Sequence, residues 1–157
     1  MTTHFTVRLA QPGDARILAE LRWTFKQEDL EGQPSAPARP LEEAEHWIRD
    51  RLRNGQWLAW IAEAGGEICG HVFLCPVERM PDPYSDNTPV GYVTNFYVTP
   101  LQRNKGAGSA LLEALNRHSR RVGFDTLIVW PSERSSPLWQ RYGFQPPEEL
   151  LELPFDA

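Results

Sequence analysis

Residues that form cross-links or bind metals are scarce in this sequence. Its 157 residues include two cysteines and four histidines. Cys69 and Cys75 fall in one predicted strand, where six residues set their Cα atoms about 20 Å apart, too far for a disulfide. The histidines lack the spacing of a metal-ligand set; they are His4, His46, His71 and His118. We therefore expect neither a disulfide nor a bound metal.

Positive charge and long apolar runs are scarce as well. No stretch approaches the roughly 20 consecutive apolar residues of a membrane-spanning helix, and the N-terminus lacks the apolar core of a signal peptide. The net charge is −5, whereas nucleic-acid-binding domains are usually basic because they must neutralise phosphates. The sequence indicates a cytoplasmic protein that binds neither membranes nor nucleic acid.

The residues that are present have the composition of a folded domain. Hydrophobic residues make up 41% of the chain and charged residues 24%, which excludes a disordered protein. The length fits one domain, and the chain contains no repeat, linker or low-complexity tract. We predict a single domain over residues 1–157.

The spacing of apolar residues predicts a mixed α/β fold. The predicted strands cover residues 4–10, 57–64, 67–75, 91–98, 125–130 and 150–155. Predicted helices contain residues 17–25, 41–52, 106–122 and 135–142. Gly65-Gly66 is a hairpin signal, which makes the first half of the sheet antiparallel. The strand–helix–strand unit over 91–130 implies a parallel pair joined by a right-handed crossover.

The segment from Asn95 to Leu112 has the features of a diphosphate-binding loop. A strand leads into two glycines where a helix begins, and the free amide groups at a helix start attract anions. Gly106 and Gly108 let the backbone approach a large anion, and Arg103 and Lys105 add positive charge. The order of residues does not fit a Walker loop, in which the lysine follows the glycine. It does not fit a dinucleotide fingerprint either, because position 111 is Leu.

The motif Arg-x-x-Gly-x-Gly at 103–108 closely resembles the cofactor motif of the GNAT superfamily of N-acetyltransferases. The strand before it ends in Phe96-Tyr97-Val98-x-Pro100, and Gly143-Phe144 resembles the late motif of that family. The resemblance extends over nearly the whole chain. It implies a GNAT-like mixed sheet whose parallel pair opens a cofactor cleft, and it implies acetyl-CoA as the acyl donor.

The resemblance also assigns a cofactor role to individual residues. The backbone of Phe96 and Val98, with Tyr97 between them, would bond the pantetheine arm, and a bulge in this strand would open the cleft. Ser135 and Trp139 would contact the thiol end. The amides that would hold the pyrophosphate belong to Arg103, Asn104, Lys105, Gly106, Ala107, Gly108 and Ser109.

Proton transfer is where the sequence departs from the family. The family often places a tyrosine, the general acid, four residues before the Gly of Gly-Phe; here that position is Trp139, whose indole cannot deliver a proton. Tyr142 is the nearest phenol and our candidate acid; the alternatives are a water molecule and unassisted departure of the thiolate. Glu28 is our candidate general base. Other carboxylates that remain candidates are Asp29, Glu31, Glu78 and Asp86.

The resulting expectation is an enzyme that moves an acetyl group from acetyl-CoA to a primary amine by direct transfer in a ternary complex. The alternative is a non-catalytic acyl-CoA-binding or sensor module of the same fold. Trp23, Tyr84 and Tyr92 are candidates for the wall of an acceptor pocket. The acceptor, a small-molecule or peptide amine, stays open, as does the oligomeric state, for which a homodimer is the commonest choice.

Overall fold

Five strands form one mixed sheet in the computed structural model, which describes residues 4–30, 36–86, 89–133 and 135–155. The sheet has the order β1-β2-β3-β4-β5; its first four strands are antiparallel, and β4 and β5 are parallel. This confirms the predicted α/β fold with an antiparallel first half and a parallel pair. The strands are β1 Thr6–Leu9, β2 Leu58–Ala64, β3 Glu67–Val77, β4 Val90–Val98 and β5 Leu127–Val129.

Four α-helices accompany the sheet in the part of the chain that is described. They are α1 Ala15–Asp29, α2 Leu41–Asn54, α3 Ala107–Val122 and α4 Ser136–Arg141. Gly55 and Gly123 end α2 and α3 with φ angles of 76° and 81°, a left-handed conformation that glycine adopts without steric cost. None of these described helices has the length and apolar character needed to cross a membrane.

Helices cover both faces of the sheet, because alternate residues of each strand point to opposite sides. On β2, Ala59 and Ile61 pack with α1 and α2, whereas Trp60 and Ala62 pack with α3. Leu18 of α1 is fully buried on the first side. The α3 side is larger, and its buried members from outside β2 are Cys69, Val72, Leu74, Val93, Ala107, Leu111, Leu112, Leu115 and Trp139.

The parallel pair is short and leaves half of β4 open. Gly91 to Val93 pair with Leu127 to Val129, and no further pairing joins the two strands. The remainder of β4, from Thr94 to Val98, therefore has no strand beside it on the β5 side among the described residues. This opening lies where the cofactor cleft was predicted.

The predicted last strand, over residues 150–155, is wrong. The structure has no regular element there, and its apolar side chains face solvent, with Leu151 92% and Phe155 86% exposed. An alternating apolar pattern forms a strand only when a neighbouring strand pairs with it. Here β5 offers an edge of just three residues, and the segment does not pair with it.

Gly70 provides a test of how closely β3 and β4 approach. A Cβ atom at this position would lie 2.8 Å from the backbone oxygen of Tyr97, so Gly70→Ala must displace backbone. We expect the free energy of unfolding to fall by about 1–3 kcal/mol in urea denaturation. At Gly13 a Cβ would meet nothing within 4 Å, and Gly13→Ala should change stability by less than about 0.5 kcal/mol. Equal effects of the two substitutions would contradict this close approach.

Candidate active site

A β-bulge interrupts β4 beside the opening. Phe73 of β3 pairs with Thr94 of β4. Two residues earlier on β3, His71 pairs with Tyr97, which is three residues later on β4, so β4 contains one extra residue. Asn95 accommodates it with a φ of 53°, in the left-handed region that Asn tolerates better than most side chains. The bulge that the family resemblance implies is therefore present, at the point where pairing with β5 has ended.

Two side chains hold the bulge in place. The Nδ1–H of His71 donates to the carbonyl oxygen of Asn95 at 2.6 Å, and Arg22 Nε donates to Asn95 Oδ1 at 3.0 Å. His71 is fully buried, and burial lowers the pKa of its imidazole from 6.5 to about 4, so the ring is neutral. Its Nε2 has no hydrogen-bond partner among the described residues. A buried, neutral imidazole thus fixes the backbone of the bulge.

The loop after β4 forms a cradle of backbone amides. Asn104 and Gly106 have φ angles of 61° and 102°, and such left-handed residues turn successive amides toward a common concavity. The first amides of a helix have no carbonyl partner within it, and no side chain caps α3 at Gly106. The amides from Ala107 to Ser109 therefore have neither kind of partner. A Cβ at Gly106 would meet nothing within 4 Å, which leaves room for a large anion. The residues present fit the predicted diphosphate site.

Gly108 connects the cradle to the bulge. A Cβ at Gly108 would lie 3.0 Å from Cζ of Phe96, the residue that follows Asn95. A side chain at position 108 would therefore crowd the Phe96 ring, so packing as well as the approach of an anion favours glycine here. It allows the start of α3 to lie directly against the bulged part of β4.

Arg103 points away from the cradle. Its Nε donates to the carbonyl oxygen of Val98 at 2.8 Å, and its Nη2 donates to Glu28 at 2.7 Å. Glu28 also accepts a hydrogen bond from the Tyr97 hydroxyl, whose pKa is raised to about 12, mainly by burial and then by the neighbouring carboxylate. The structure thus pairs Arg103, which was predicted to bind the cofactor, with Glu28, which was predicted to act as the general base. Lys105, by contrast, is exposed in the cradle loop.

A cavity of about 1000 Å³ lies on the other side of the bulge, between α1, α2 and the β3–β4 face of the sheet. Asn95 lines it, which joins the cavity to the bulge. Of the three candidates for an acceptor wall, Trp23 and Tyr92 line this cavity, whereas Tyr84 is 96% exposed and does not. Trp47 and Trp57 line it too, and sequence reasoning missed them because both fit the apolar patterns of their elements.

Comparison with known proteins decides the family. The sequence model of the acetyltransferase (GNAT) family matches residues 17–144. The chain belongs to the GNAT acetyltransferase family. It is therefore an N-acetyltransferase with acetyl-CoA as acyl donor, as predicted.

Individual GNAT relatives support this assignment. The chain is 27% identical to the uncharacterized N-acetyltransferase YhfO of Bacillus subtilis, over 88% of this chain and 89% of the relative. It is 32% identical to the aminoglycoside N(6')-acetyltransferase type 1 of Stenotrophomonas maltophilia, over 75% of this chain and 69% of the relative. Its fold matches that of a predicted acetyltransferase from Clostridium acetobutylicum, solved with acetyl-CoA, with a TM-score of 0.77, 23% identity and 96% coverage of both chains.

The late GNAT motif takes an unusual form in this chain. Trp139 is 5% exposed and packs against Phe96 and Phe144, with ring centroids 5.4 and 5.2 Å away, so it belongs to the core. Tyr142 is 39% exposed, and its hydroxyl lies 2.5 Å from Oγ of Ser109 at the start of α3. The structure therefore brings Tyr142, and not Trp139, into polar contact with the cradle.

The remaining predicted residues lie farther out. Ser135 precedes α4, and its hydroxyl donates to the carbonyl oxygen of Ser132 at 3.2 Å. Glu78 and Asp86 belong to the exposed loop before β4, at the end of that strand opposite the cradle. Asp29 is exposed at the end of α1, and Glu31 lies outside the described residues. No group of three His, Cys, Asp or Glu side chains that could hold a metal occurs among the described residues.

The buried imidazole of His71 predicts a pH dependence of stability. Below pH 6.5 the unfolded chain binds a proton at this position, whereas the folded protein does not until about pH 4. Stability should therefore fall as the pH drops through this window, with His71 contributing up to about 1.4 kcal/mol per pH unit. In urea denaturation, the free energy of unfolding of His71→Gln should change less with pH across this window than that of the wild type. The exposed His46→Gln should keep the wild-type slope, and an unchanged slope in His71→Gln would contradict a neutral buried imidazole.

Proposed function

We propose that the protein transfers an acetyl group from acetyl-CoA to a primary amine directly, within a ternary complex. The observation that carries this proposal is the position of the bulge between two sites. Phe96 lies against Gly108 of the cradle, and the preceding Asn95 lines the large cavity. A donor held by the cradle and an acceptor in the cavity would meet at these two adjacent residues.

Positioning accounts for most of the catalysis in this proposal. The amide of Arg103 already donates to the carbonyl oxygen of Pro100 at 3.3 Å, so the amides of residues 104–109 would hold the diphosphate. The backbone of Phe96 to Val98 would align the pantetheine arm along the open side of β4. Holding two reactants in a reactive geometry can lower a barrier by about 7–11 kcal/mol. The ion pair of Arg103 with Glu28 fixes the end of β4 on which this alignment depends.

Proton transfer falls to residues outside the core. The Tyr142 hydroxyl is the phenol in contact with the cradle, and we keep it as the candidate general acid. Glu28 already accepts hydrogen bonds from Tyr97 and Arg103, so we propose that it orients those two residues, and that water carries the proton of the amine. A free thiol has a pKa near 8.5, so the departing thiolate needs little assistance.

The cysteines support direct transfer over an acetyl-enzyme intermediate. Cys69 is buried and Cys75 is half-buried, and burial raises the pKa of both thiols. A thiol whose pKa is raised carries little thiolate at neutral pH and is a poor nucleophile. Neither residue lines the cavity.

We further propose a setting for this activity. We propose one domain over residues 1–157 that acts in the cytoplasm on a small-molecule or peptide amine. The net charge of −5 disfavours nucleic acid and anionic membrane surfaces as partners. A homodimer is the assembly to test for in solution.

Steady-state kinetics test the ternary complex. With both acetyl-CoA and an accepted amine varied, double-reciprocal plots should intersect, because both substrates must bind before either product leaves. Mass spectrometry after incubation with acetyl-CoA alone should find no acetylated cysteine. Parallel plots together with an acetylated enzyme would instead indicate a ping-pong mechanism.

Replacing Tyr142 tests the candidate acid. If its hydroxyl protonates the leaving thiolate, Tyr142→Phe should lower kcat by about 10-fold or more while the Kd of CoA changes little. Tyr84→Phe, at an exposed position away from the cavity, is the matched control and should retain full activity. Unchanged kcat in Tyr142→Phe would leave this residue with a packing role. A folded wild type that binds CoA but acetylates no amine would favour the non-catalytic sensor module.

A further inference from the structure

The walls of the acceptor cavity are strongly aromatic. Trp47 and Trp57 meet edge to face with ring centroids 5.4 Å apart, and Trp57 meets Tyr92 in the same way at 6.2 Å. Trp23 of α1 lines the same space. Ring faces and edges of this kind offer stacking and apolar contact to a planar or apolar group.

The charged groups of the cavity are mainly basic. Among the described residues that line it, four are charged: Arg22, Lys26, Arg39 and Glu43. Arg39 Nη1 donates to Glu43 Oε1 at 3.0 Å, so these two charges compensate each other. No carboxylate of the described ranges forms an ion pair with Arg22 or Lys26. The cavity therefore presents two cationic side chains of α1 that lack a carboxylate partner in the described chain.

Arg22 lies next to the bulge. Its Nε is bound to Asn95 Oδ1 at 3.0 Å, which leaves both Nη groups of the guanidinium for another ligand. Such a pair of donors suits a carboxylate, which it binds with two parallel hydrogen bonds. An acid group bound to Arg22 would place a neighbouring amine beside Asn95, where donor and acceptor are proposed to meet.

We propose that the acceptor is an α-amino acid with an aromatic side chain. This inference rests on the proposed function, since it identifies the substrate of the same site. The carboxylate pairs with Arg22, the adjacent α-amine faces the bulge, and the side chain lies among Trp23, Trp57 and Tyr92. The neutral amine attacks the thioester carbonyl, the thiolate of CoA leaves and takes up the proton, and the product is an N-acetylamino acid.

The same charges disfavour a polycationic acceptor. An aminoglycoside, the substrate class named for one GNAT relative, carries several ammonium groups. These would approach Arg22 and Lys26, whose like charges repel them, and would find Glu43 already paired with Arg39. The cavity is therefore expected to discriminate against the aminoglycosides that this relative acetylates.

A matched substrate panel tests this specificity. Release of free CoA would be measured with L-phenylalanine, L-tryptophan, L-phenylalaninamide, phenethylamine and kanamycin. The amide keeps the shape of phenylalanine and removes its negative charge. We expect kcat/KM for L-phenylalanine to exceed that for the amide, phenethylamine and kanamycin by about 10-fold or more. Equal values for phenylalanine and its amide, or a preference for kanamycin, would overturn the inference and leave the proposed function intact.

The Arg22→Gln variant tests whether Arg22 binds the carboxylate of the acceptor. Both amines lose the support that Arg22 gives to Asn95, but only the amino acid loses its carboxylate partner, so kcat/KM for L-phenylalanine should fall about 10-fold or more further than that for phenethylamine. Arg16→Gln is the matched control, since Arg16 lies on the same helix, pairs with Glu20 and Glu45, and does not line the cavity. Equal losses on both amines would show a general structural role for Arg22 and contradict its proposed binding of the carboxylate.

A binding measurement separates this inference from the proposed function. Quenching of tryptophan fluorescence by L-phenylalanine, with CoA present, reports occupancy of a cavity lined by three tryptophans. One outcome is that L-phenylalanine binds tightly, that Arg22→Gln weakens this binding by about 10-fold, and that no amine is turned over. This outcome would support aromatic amino acids as ligands and reject catalysis. Absence of both binding and turnover with L-phenylalanine, while another amine is acetylated, would reject the ligand class alone.

Discussion

The bulge at Asn95 is the constraint on which the rest of the site depends. A regular strand would continue beside β5 and would point successive side chains to opposite faces of one flat surface. The extra residue bends β4 where its pairing with β5 ends, so that Asn95 borders the cavity and Phe96 borders the cradle. The left-handed φ of Asn95 has an energetic cost, which the hydrogen bonds from His71 and Arg22 offset.

The same region shows how long-range contacts replace the roles that local patterns suggested. Arg103 follows the strand, and in a linear motif its charge belongs to the diphosphate. In the fold its guanidinium reaches back to the Val98 carbonyl and across to Glu28, 75 positions away in the chain. The cradle therefore relies on backbone amides and the helix dipole, with Lys105 as its exposed basic side chain. The proposed anion site is thus made mainly by backbone, and the ion pair serves to hold the end of β4 and α1 together.

Local features were predictable from the sequence, and features that depend on distant partners were not. The hairpin at Gly65-Gly66, the helix ends at Gly55 and Gly123 and the loop around Gly106 follow from residue-specific backbone preferences. The strand at 150–155 was predicted wrongly because alternation says nothing about whether an edge is available. No local pattern indicates that His71 meets the carbonyl of Asn95, 24 positions later. The row of Trp47, Trp57 and Tyr92 likewise forms only when α2 packs on the sheet.

Packing around Phe96 gives a physical reason for the tryptophan in the late motif. The Phe96 ring lies between the position where a Gly108 Cβ would be, 3.0 Å away, and the indole of Trp139, whose ring centroid is 5.4 Å away. Trp139 in turn meets Phe144, so α4 is joined to the bulge through one continuous aromatic contact. A smaller phenol at 139 would leave space beside Phe96 and loosen the bulge on which the proposed alignment of the two substrates depends. The larger apolar ring at 139 thus supports the bulge, and the hydroxyl proposed for proton transfer lies outside the core, at Tyr142.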